Sequence, residues 1–495
     1  MDEFLAVEQN LLTELVREIM ELPYEDLPDW RLLHHRLAGV DVTRGILAEH
    51  ELDRAAETLR SLLLRRAHAM SEQRFRSPDT MLRTVLPSGC ELDHSYERNM
   101  TASHLEARLA AAVAERVPTG WALESVAFSS GMAALTHVLQ SLIHMMHPTE
   151  AHPLKIAYWG DYFETDLLLE YLASSAVSHK KIPPSALTDP ASFSGADVLL
   201  IEPVRYSRTL DVLPLRRWLR AWAEDPARPR VVIADTTLIS PAWPMRQVLE
   251  AMAGRDAVTF IEVRSALKLD QQGLELANLG VANVLHHQGM VGGVPRAGEL
   301  AKVLRLVRGV TGAGPSAADI AALDAPFLFR PAWHRRHAGQ VYANNRYVAE
   351  RLATVSGVFS SVVHPSLASE NDIIRDAPFV IIELAEDSAE DSVANHGFVL
   401  GVLRHVAATR GIRLVHGASF GFRSHRFDAV IPRVSQPRGL LKFAAGSRRG
   451  PFLDAAADLL AEIGRVAGMD ALRALYPDVK EIPLLPPEAD AEEQS

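Results

Sequence analysis

Cysteine is almost missing from this 495-residue chain, which has a single one at Cys90. One cysteine excludes an intrachain disulfide framework and any zinc site built from several thiolates. Neither adjacent histidine pair, His34-His35 or His286-His287, has metal-ligand spacing, because neighbouring side chains point in different directions. We therefore expect no bound metal and interpret Cys90 as a partly buried structural thiol.

The chain also lacks an excess of basic residues and any long apolar run. Its 62 acidic and 51 basic residues give a net charge of −11, which argues against nonspecific nucleic-acid binding because phosphate contacts need clustered Lys and Arg. No apolar run reaches the roughly 20 residues that span a bilayer, and the acidic start at residues 1–4 does not resemble a signal peptide. We expect a cytoplasmic protein with neither a nucleic-acid nor a membrane partner.

Hydrophobic spacing divides the chain into five predicted segments. Residues 1–90 are predicted to form a helical N-terminal extension, because Leu5, Leu12, Leu15 and Ile19 recur at helical spacing. Residues 91–310 alternate apolar runs with amphipathic stretches, which indicates a large α/β domain with a mostly parallel sheet. A connecting helix (311–350), a smaller α+β domain (351–477) and a disordered acidic tail (478–495) are predicted to follow.

Polar residues follow the predicted strands at the edge where such sheets bind ligands. Ser130-Gly131-Met132 opens a helix whose N-terminal amides suit a phosphate. Asp235 ends the predicted strand at residues 231–234, with Thr237 behind it, and Ser265 and Lys268 end the next predicted strand. A lysine for a Schiff base, a carboxylate for a pyridinium nitrogen and phosphate donors are the groups that pyridoxal 5'-phosphate needs.

In this order the motifs resemble the Cys/Met-metabolism (trans-sulfuration) family of pyridoxal-phosphate enzymes, which includes cystathionine γ-synthase and methionine γ-lyase. The similarity extends from about residue 95 to 463 and implies fold type I. Residues 160–165 resemble the family's Tyr-Gly-Gly-Thr turn, which implies that Tyr162 stacks on the cofactor ring. Residues 96–101 resemble its Tyr-x-Arg segment, which implies that Tyr96 and Arg98 reach the neighbouring active site of a homodimer or homotetramer.

The substrate side of the resemblance is less complete. Ser419, within Gly417–Gly421, resembles the family's Ser-Leu-Gly near the substrate, and Lys442 stands where the family has the arginine that binds the substrate carboxylate. A lysine lacks the bidentate fork of arginine, so Arg448 is the alternative. Leu267 replaces a family threonine, and residues 202–206 lack the asparagine that faces the ring hydroxyl. The segment around Ser419 also fits a nucleophile elbow, but no suitably placed histidine follows it.

The resemblance implies chemistry on an amino acid with a leaving group on Cγ. Lys268 would hold the cofactor and act as the base at Cα, with Asp235 stabilising the quinonoid and Tyr162 as a third catalytic residue. A vinylglycine-type intermediate then leads to γ-elimination or γ-replacement, with a homoserine ester, a thioether or a sulfonium such as S-adenosylmethionine as donor. Two alternatives remain open: an aminotransferase, and a pyridoxal-phosphate-binding protein without turnover.

Overall fold

A computed structural model describes residues 2–23, 25–72, 83–93, 96–253, 258–289, 294–368, 374–385, 388, 390–431 and 438–484. The helices are α1 (Asp2–Met20), α2 (Pro28–Ala38), α3 (Ile46–Glu72), α4 (Ser103–Ala114), α5 (Gly131–Met146), α6 (Phe163–Leu172), α7 (Leu215–Glu224), α8 (Met245–Met252), α9 (Ala297–Thr311), α10 (Ala317–Ala322), α11 (Pro331–Leu352), α12 (Ser392–Thr409), α13 (Pro451–Gly464) and α14 (Met469–Leu475). The strands are β1 (Arg83–Val85), β2 (Glu91–Asp93), β3 (Trp121–Phe128), β4 (Leu154–Trp159), β5 (Val177–Lys181), β6 (Val198–Ile201), β7 (Val231–Asp235), β8 (Thr259–Ser265), β9 (Gly280–His287), β10 (Phe359–Val363), β11 (Val380–Leu384), β12 (Val415–His416), β13 (Arg426–Val430) and β14 (Leu440–Ala444).

The N-terminal extension is helical and shares a hydrophobic core with the large domain. The apolar stripe of α1 is fully buried, as its helical spacing predicts. Helix α2 was not predicted, because its sequence is largely polar apart from buried positions such as Trp30 and Leu33. The core of α1–α3 continues into apolar residues of segments 266–281 and 317–329. The first helices are therefore part of the folded body around the sheet.

The large sheet has the strand order β3-β9-β8-β7-β6-β4-β5. Strands β4 to β8 pair in parallel, whereas β9 is antiparallel to both β3 and β8. The predicted mostly parallel sheet is confirmed, but β9 was not predicted. Because β9 is antiparallel to both of its neighbours, β3 runs in the same direction as β8 and the other parallel strands. The carboxyl end of β3 therefore lies at the same edge of the sheet.

The second sheet, ordered β10-β11-β14-β13-β12, lies beside α12 and α13 and forms the smaller α+β unit. Residues 478–484 do not follow the expectation of a disordered tail, because the Ile482 amide donates to the Gly397 carbonyl oxygen at 2.9 Å and the segment packs on α12. The remainder of the predicted tail lies outside the described residues.

Within the described ranges, no helix combines the length and the apolarity that a bilayer crossing requires. The same described residues contain no cluster of three His, Cys, Asp or Glu side chains arranged to hold a metal ion.

Candidate active site

Five strands of the large sheet end at one edge, and four of them place predicted residues there. Ser130 follows β3, Tyr162 follows β4, Asp235 ends β7 and Lys268 follows β8. Glu202, which follows β6, completes the set. Packing of the strands inside the protein fixes the positions of these residues, since β6 and β8 are buried along almost their whole length. The carboxyl edge therefore collects a helix N-terminus, an aromatic ring, two carboxylates and an amine.

The helix that begins at Gly131 closely approaches the end of β8. Ser130 is its N-cap, and its Oγ accepts a hydrogen bond from the Ala133 amide at 3.0 Å. A Cβ on Gly131 would lie 2.9 Å from Ser265 Cβ, so only glycine permits this approach. Thr237 Oγ1 accepts from the Ser265 amide at 3.0 Å. Amides and hydroxyls thus converge at a helix N-terminus, which suits a phosphate dianion.

Asp235 is a half-buried carboxylate without a cationic partner among the described residues. Its Oδ1 accepts from the Thr237 amide at 3.0 Å. Burial raises the pKa of Asp235, and the hydrogen bonds of Thr237 only partly oppose this. A desolvated carboxylate at a sheet edge is stabilised by a positive group, and a protonated pyridinium nitrogen supplies one. The carboxylate of Asp235 and the phosphate-binding groups around Gly131 therefore fit pyridoxal phosphate.

Lys268 lies between the two domains. Its Nζ donates to Ser419 Oγ at 2.5 Å and lies 5.6 and 5.9 Å from the ring centroids of Phe420 and Phe422. Burial first, and then the charge of Lys442, lower the pKa of Lys268 to about 8. An appreciable fraction of this amine is therefore neutral, and hence nucleophilic, near neutral pH.

Ser419 has a backbone φ of +81°. Residues other than glycine adopt this left-handed region only at an energetic cost of roughly 1–3 kcal/mol, and such positions cluster at functional sites. The contact with Lys268 Nζ is thus made by a strained turn of the small domain.

Glu202 organises the turn that carries Tyr162, and the sequence reasoning missed it. Its buried carboxylate accepts from the Tyr158 hydroxyl and from the amides of Asp161 (3.0 Å) and Tyr162 (3.2 Å). Burial raises the pKa of Glu202 to about 7, against the effect of these donors. The role of Glu202 could not be predicted from a single acidic residue after an apolar strand, because its partners lie in β4 and in the turn that follows β4.

A row of aromatic rings extends from Tyr162 towards the small domain. The Tyr162 and Tyr206 centroids are 5.9 Å apart, Tyr206 and Phe379 are 5.3 Å apart, and Phe379 and Phe420 are 5.5 Å apart. Lys442 Nζ lies 5.6 Å over the Tyr206 ring and donates to the Tyr206 hydroxyl at 3.1 Å. Lys442 thus lies beside the Tyr206 end of a row of rings whose last member, Phe420, adjoins Lys268.

Arg448 lies elsewhere and has another role. Its buried guanidinium pairs with Glu49 at 2.9 Å and with Asp53, both on α3. These two carboxylates compensate its charge, so Arg448 anchors the N-terminal helices to the small domain. We correct its expected substrate-binding role accordingly. The same role for Lys442, whose Nζ lies 3.7 Å from Asp428 Oδ2, stays a prediction.

Tyr96 and Arg98 form a surface feature beside the end of α9. Tyr96 is 43% exposed, and the Arg98 guanidinium lies 5.3 Å from its ring centroid. A Cβ on Gly312 would lie 3.4 Å from Arg98 Cγ, and the next carbonyl, of Ala313, accepts from the Ser129 amide at 2.8 Å. Among the described residues, neither side chain contacts Lys268 or Asp235.

A buried ion pair joins the two ends of the segment that carries Lys268. Arg264, 1% exposed, donates through Nε (3.0 Å) and Nη2 (2.9 Å) to Asp270 Oδ1. Its Nη1 donates to Glu262 Oε2 at 3.2 Å. Burial alone would raise the pKa of Asp270, but Arg264 and then His334 hold it below its usual value. The pair therefore closes a loop of fixed geometry around Lys268.

Two solved structures show which known fold this is. Cystathionine γ-synthase from Xanthomonas oryzae pv. oryzae, solved with aminoacrylate and cysteine, is 18% identical with a TM-score of 0.51, and the match covers 84% of this chain and 98% of that one. Cystathionine γ-lyase from yeast is 19% identical with a TM-score of 0.52, and the match covers 79% and 92%. No protein-family model and no curated protein sequence matches the chain.

At this identity the likeness establishes the fold alone. The chain has the fold type I architecture of pyridoxal-phosphate enzymes, with a large, mostly parallel sheet domain and a smaller α+β domain.

Proposed function

We propose that the chain binds pyridoxal 5'-phosphate through Lys268 and catalyses γ-elimination or γ-replacement on an amino acid with a leaving group on Cγ. The observation that carries the proposal is the position of the Lys268 amine, whose pKa is lowered to about 8, at the same sheet edge as the Asp235 carboxylate, which has no cationic partner in the part of the chain that the structure describes. The fold shared with a cystathionine γ-synthase and a cystathionine γ-lyase supports the reaction class. Bound there, pyridoxal phosphate supplies an electron sink for charge that develops at Cα.

Residues at different strand ends would bind different parts of the cofactor. Helix α5, beginning at Ser130-Gly131-Met132, and the hydroxyls of Thr237 and Ser265 would bind the phosphate. Asp235 would pair with the ring nitrogen, and Tyr162 would cover one face of the ring. Leu267 cannot donate to the phosphate, so the hydroxyl groups of Ser265 and Thr237 carry more of that role.

Three side chains would act on the substrate. The neutral amine of Lys268 accepts the proton from Cα, and Ser419 Oγ holds the nitrogen in place. Burial and then Glu164 raise the pKa of Tyr162, so its phenol stays protonated and can donate a proton to the leaving group. Lys442 binds the substrate carboxylate as a point charge.

The aromatic row from Tyr162 to Phe420 favours a sulfur-containing donor. Aromatic rings attract sulfonium and other cationic groups, and they also contact thioethers favourably. Thioether and sulfonium donors, S-adenosylmethionine among them, are therefore the first substrates to compare with homoserine esters. The altered residues around the ring support a role in a specialised biosynthetic pathway.

Cofactor attachment is tested by adding pyridoxal phosphate, reducing with borohydride and mapping the modified lysine by mass spectrometry. We expect the label on Lys268, loss of visible absorbance in Lys268→Ala, and unchanged absorbance in Lys302→Ala, a control at an exposed lysine. Labelling of other lysines, or of none, would refute the cofactor site.

The reaction class is tested by incubating the holoenzyme with each donor and measuring ammonia and 2-oxobutanoate, the products of γ-elimination. A thiol added with the donor should divert the products to a new thioether if replacement is the reaction. Stoichiometric pyridoxamine phosphate instead of either product would identify an aminotransferase.

We also propose a homodimer in which Tyr96 and Arg98 serve the neighbouring subunit. A groove of about 620 Å³ beside them is lined by α4 and α9, and Leu306 and Val310 on α9 are 66% and 68% exposed. Apolar groups this exposed are typical of a surface that a partner covers. Mixing inactive Arg98→Ala with inactive Lys268→Ala should restore activity if sites are shared. A sedimentation mass of one chain would exclude the arrangement.

A further inference from the structure

The helical extension contacts the two loops that meet at Lys268. We propose that Arg60 on α3 and Glu8 on α1 are positioning residues, which fix segments 270–276 and 417–426 and thereby hold the Lys268 amine against Ser419. The proposal rests on the function above only in taking Lys268 as the reactive lysine.

Arg60 supports the backbone that follows Lys268. Its Nε donates to the Leu274 carbonyl oxygen at 2.7 Å and its Nη2 to that of Glu275 at 3.0 Å. Hydrogen bonds from a charged donor are stronger than neutral ones. Gln272 and Glu275 have φ values of +53° and +49°, a backbone conformation that costs energy without glycine. The segment therefore needs external contacts, and α3 supplies two of them.

A continuous set of contacts leads from Glu275 to the amine. The Glu275 carboxylate forms an ion pair with Arg426, whose guanidinium lies 4.0 Å from the Phe422 ring centroid. Arg426 Nη1 also donates to the carbonyl oxygen of Ala418 at 3.2 Å. Ala418 precedes Ser419, the partner of Lys268 Nζ. A displacement of Glu275 would thus be transmitted to the turn that contacts the amine.

Glu8 makes a second connection at the place where the two loops touch. It is 7% exposed and pairs with Arg423, which is 8% exposed. The Arg423 amide donates to the Gly273 carbonyl oxygen at 3.4 Å, and a Cβ on Gly273 would lie 2.5 Å from the Arg423 nitrogen. A buried guanidinium without its carboxylate is costly, so Glu8 stabilises this close loop contact.

The electrostatics of Lys268 make the positioning measurable. Burial and the charge of Lys442 lower its pKa, Glu275 opposes them, and Arg426 lowers it further. If Glu275 moves away from its present place, the pKa of Lys268 falls. Direct removal of a positive charge at Arg60 would raise that pKa instead. The sign of the shift therefore separates positioning from simple charge effects.

The test measures the pKa of Lys268 in cofactor-free protein by competitive acetylation with trace acetic anhydride across pH, read out by mass spectrometry. Arg60→Met should lower the pKa by about half a unit, and Arg60→Lys should restore part of the shift. Arg65→Met, on the same helix with a side chain that is 70% exposed, is the control and should change nothing. An unchanged or raised pKa in Arg60→Met overturns the role of Arg60.

Glu8 is tested separately by hydrogen exchange. Glu8→Gln should speed amide exchange in residues 417–426 relative to Glu14→Gln, a substitution in an exposed pair on the same helix. Equal exchange in the two variants overturns the role of Glu8. Both measurements are made without pyridoxal phosphate. If the predicted changes are found in a protein that never binds pyridoxal phosphate, the proposed function is refuted, but the positioning roles of Arg60 and Glu8 are supported.

Discussion

Replacing Asp270 by alanine is expected to destabilise the large domain by about 3–5 kcal/mol, because it leaves a buried cation without one of its carboxylates. Arg264 is 1% exposed and loses both hydrogen bonds to Asp270 Oδ1, while the 3.2 Å hydrogen bond to Glu262 remains. Asp270→Asn keeps an acceptor at the same place but removes the charge, so its cost should be smaller, about 1–3 kcal/mol.

Urea unfolding followed by tryptophan fluorescence measures this change, since buried tryptophans of the large domain report on its packing: Trp159, Trp218, Trp222 and Trp243. The control is Asp458→Ala, which breaks an exposed pair with Arg351 and should cost at most about 1 kcal/mol. A cost for Asp270→Ala no larger than that of the control would refute the reasoning. It would mean that the loop around Lys268 holds its shape without the pair.

Three further outcomes follow from the site. Glu202→Gln should weaken pyridoxal-phosphate binding measured by absorbance titration. The two backbone N–H groups at 3.0 and 3.2 Å donate to different carboxylate oxygens, so the amide NH2 replaces the acceptor of one of them; unchanged affinity would contradict this. Asp235→Asn should lower turnover roughly 100-fold while the cofactor still binds, and a normal rate would exclude its role at the ring nitrogen. The rate of cofactor attachment should rise with pH through about 8, where the Lys268 amine loses its proton, and an inflection near the ordinary lysine value of 10.5 would contradict the lowered pKa.

Local pattern was sufficient to predict the main strands and the residues at their ends. Apolar runs that stop at Asp235 or at Ser265 mark the carboxyl edge, because a parallel sheet covered on both faces buries whole strands. Strand β9 was not predicted, and an apolar run would not by itself have indicated the direction of the strand. Its antiparallel pairing is decided by its contacts with β3 and β8.

Charged partners far apart in the sequence could not be predicted. Arg448 matched a substrate-binding pattern locally, but Glu49 and Asp53, about 400 positions earlier, determine its environment. Glu262 and Arg264 interrupt an apolar strand, and only the folded structure shows that they neutralise each other inside the core.

The shared core of α1–α3 with segments 266–281 and 317–329 has a consequence during synthesis. The end of α3 at Glu72 leaves the ribosome roughly 190 residues before the first of these partners, an interval of roughly 10–40 s at ordinary elongation rates. During that time part of their apolar surface faces water or a chaperone. Deleting the extension would expose the complementary surface on the finished domain permanently, so shortened chains are expected to aggregate rather than to fold into a smaller enzyme.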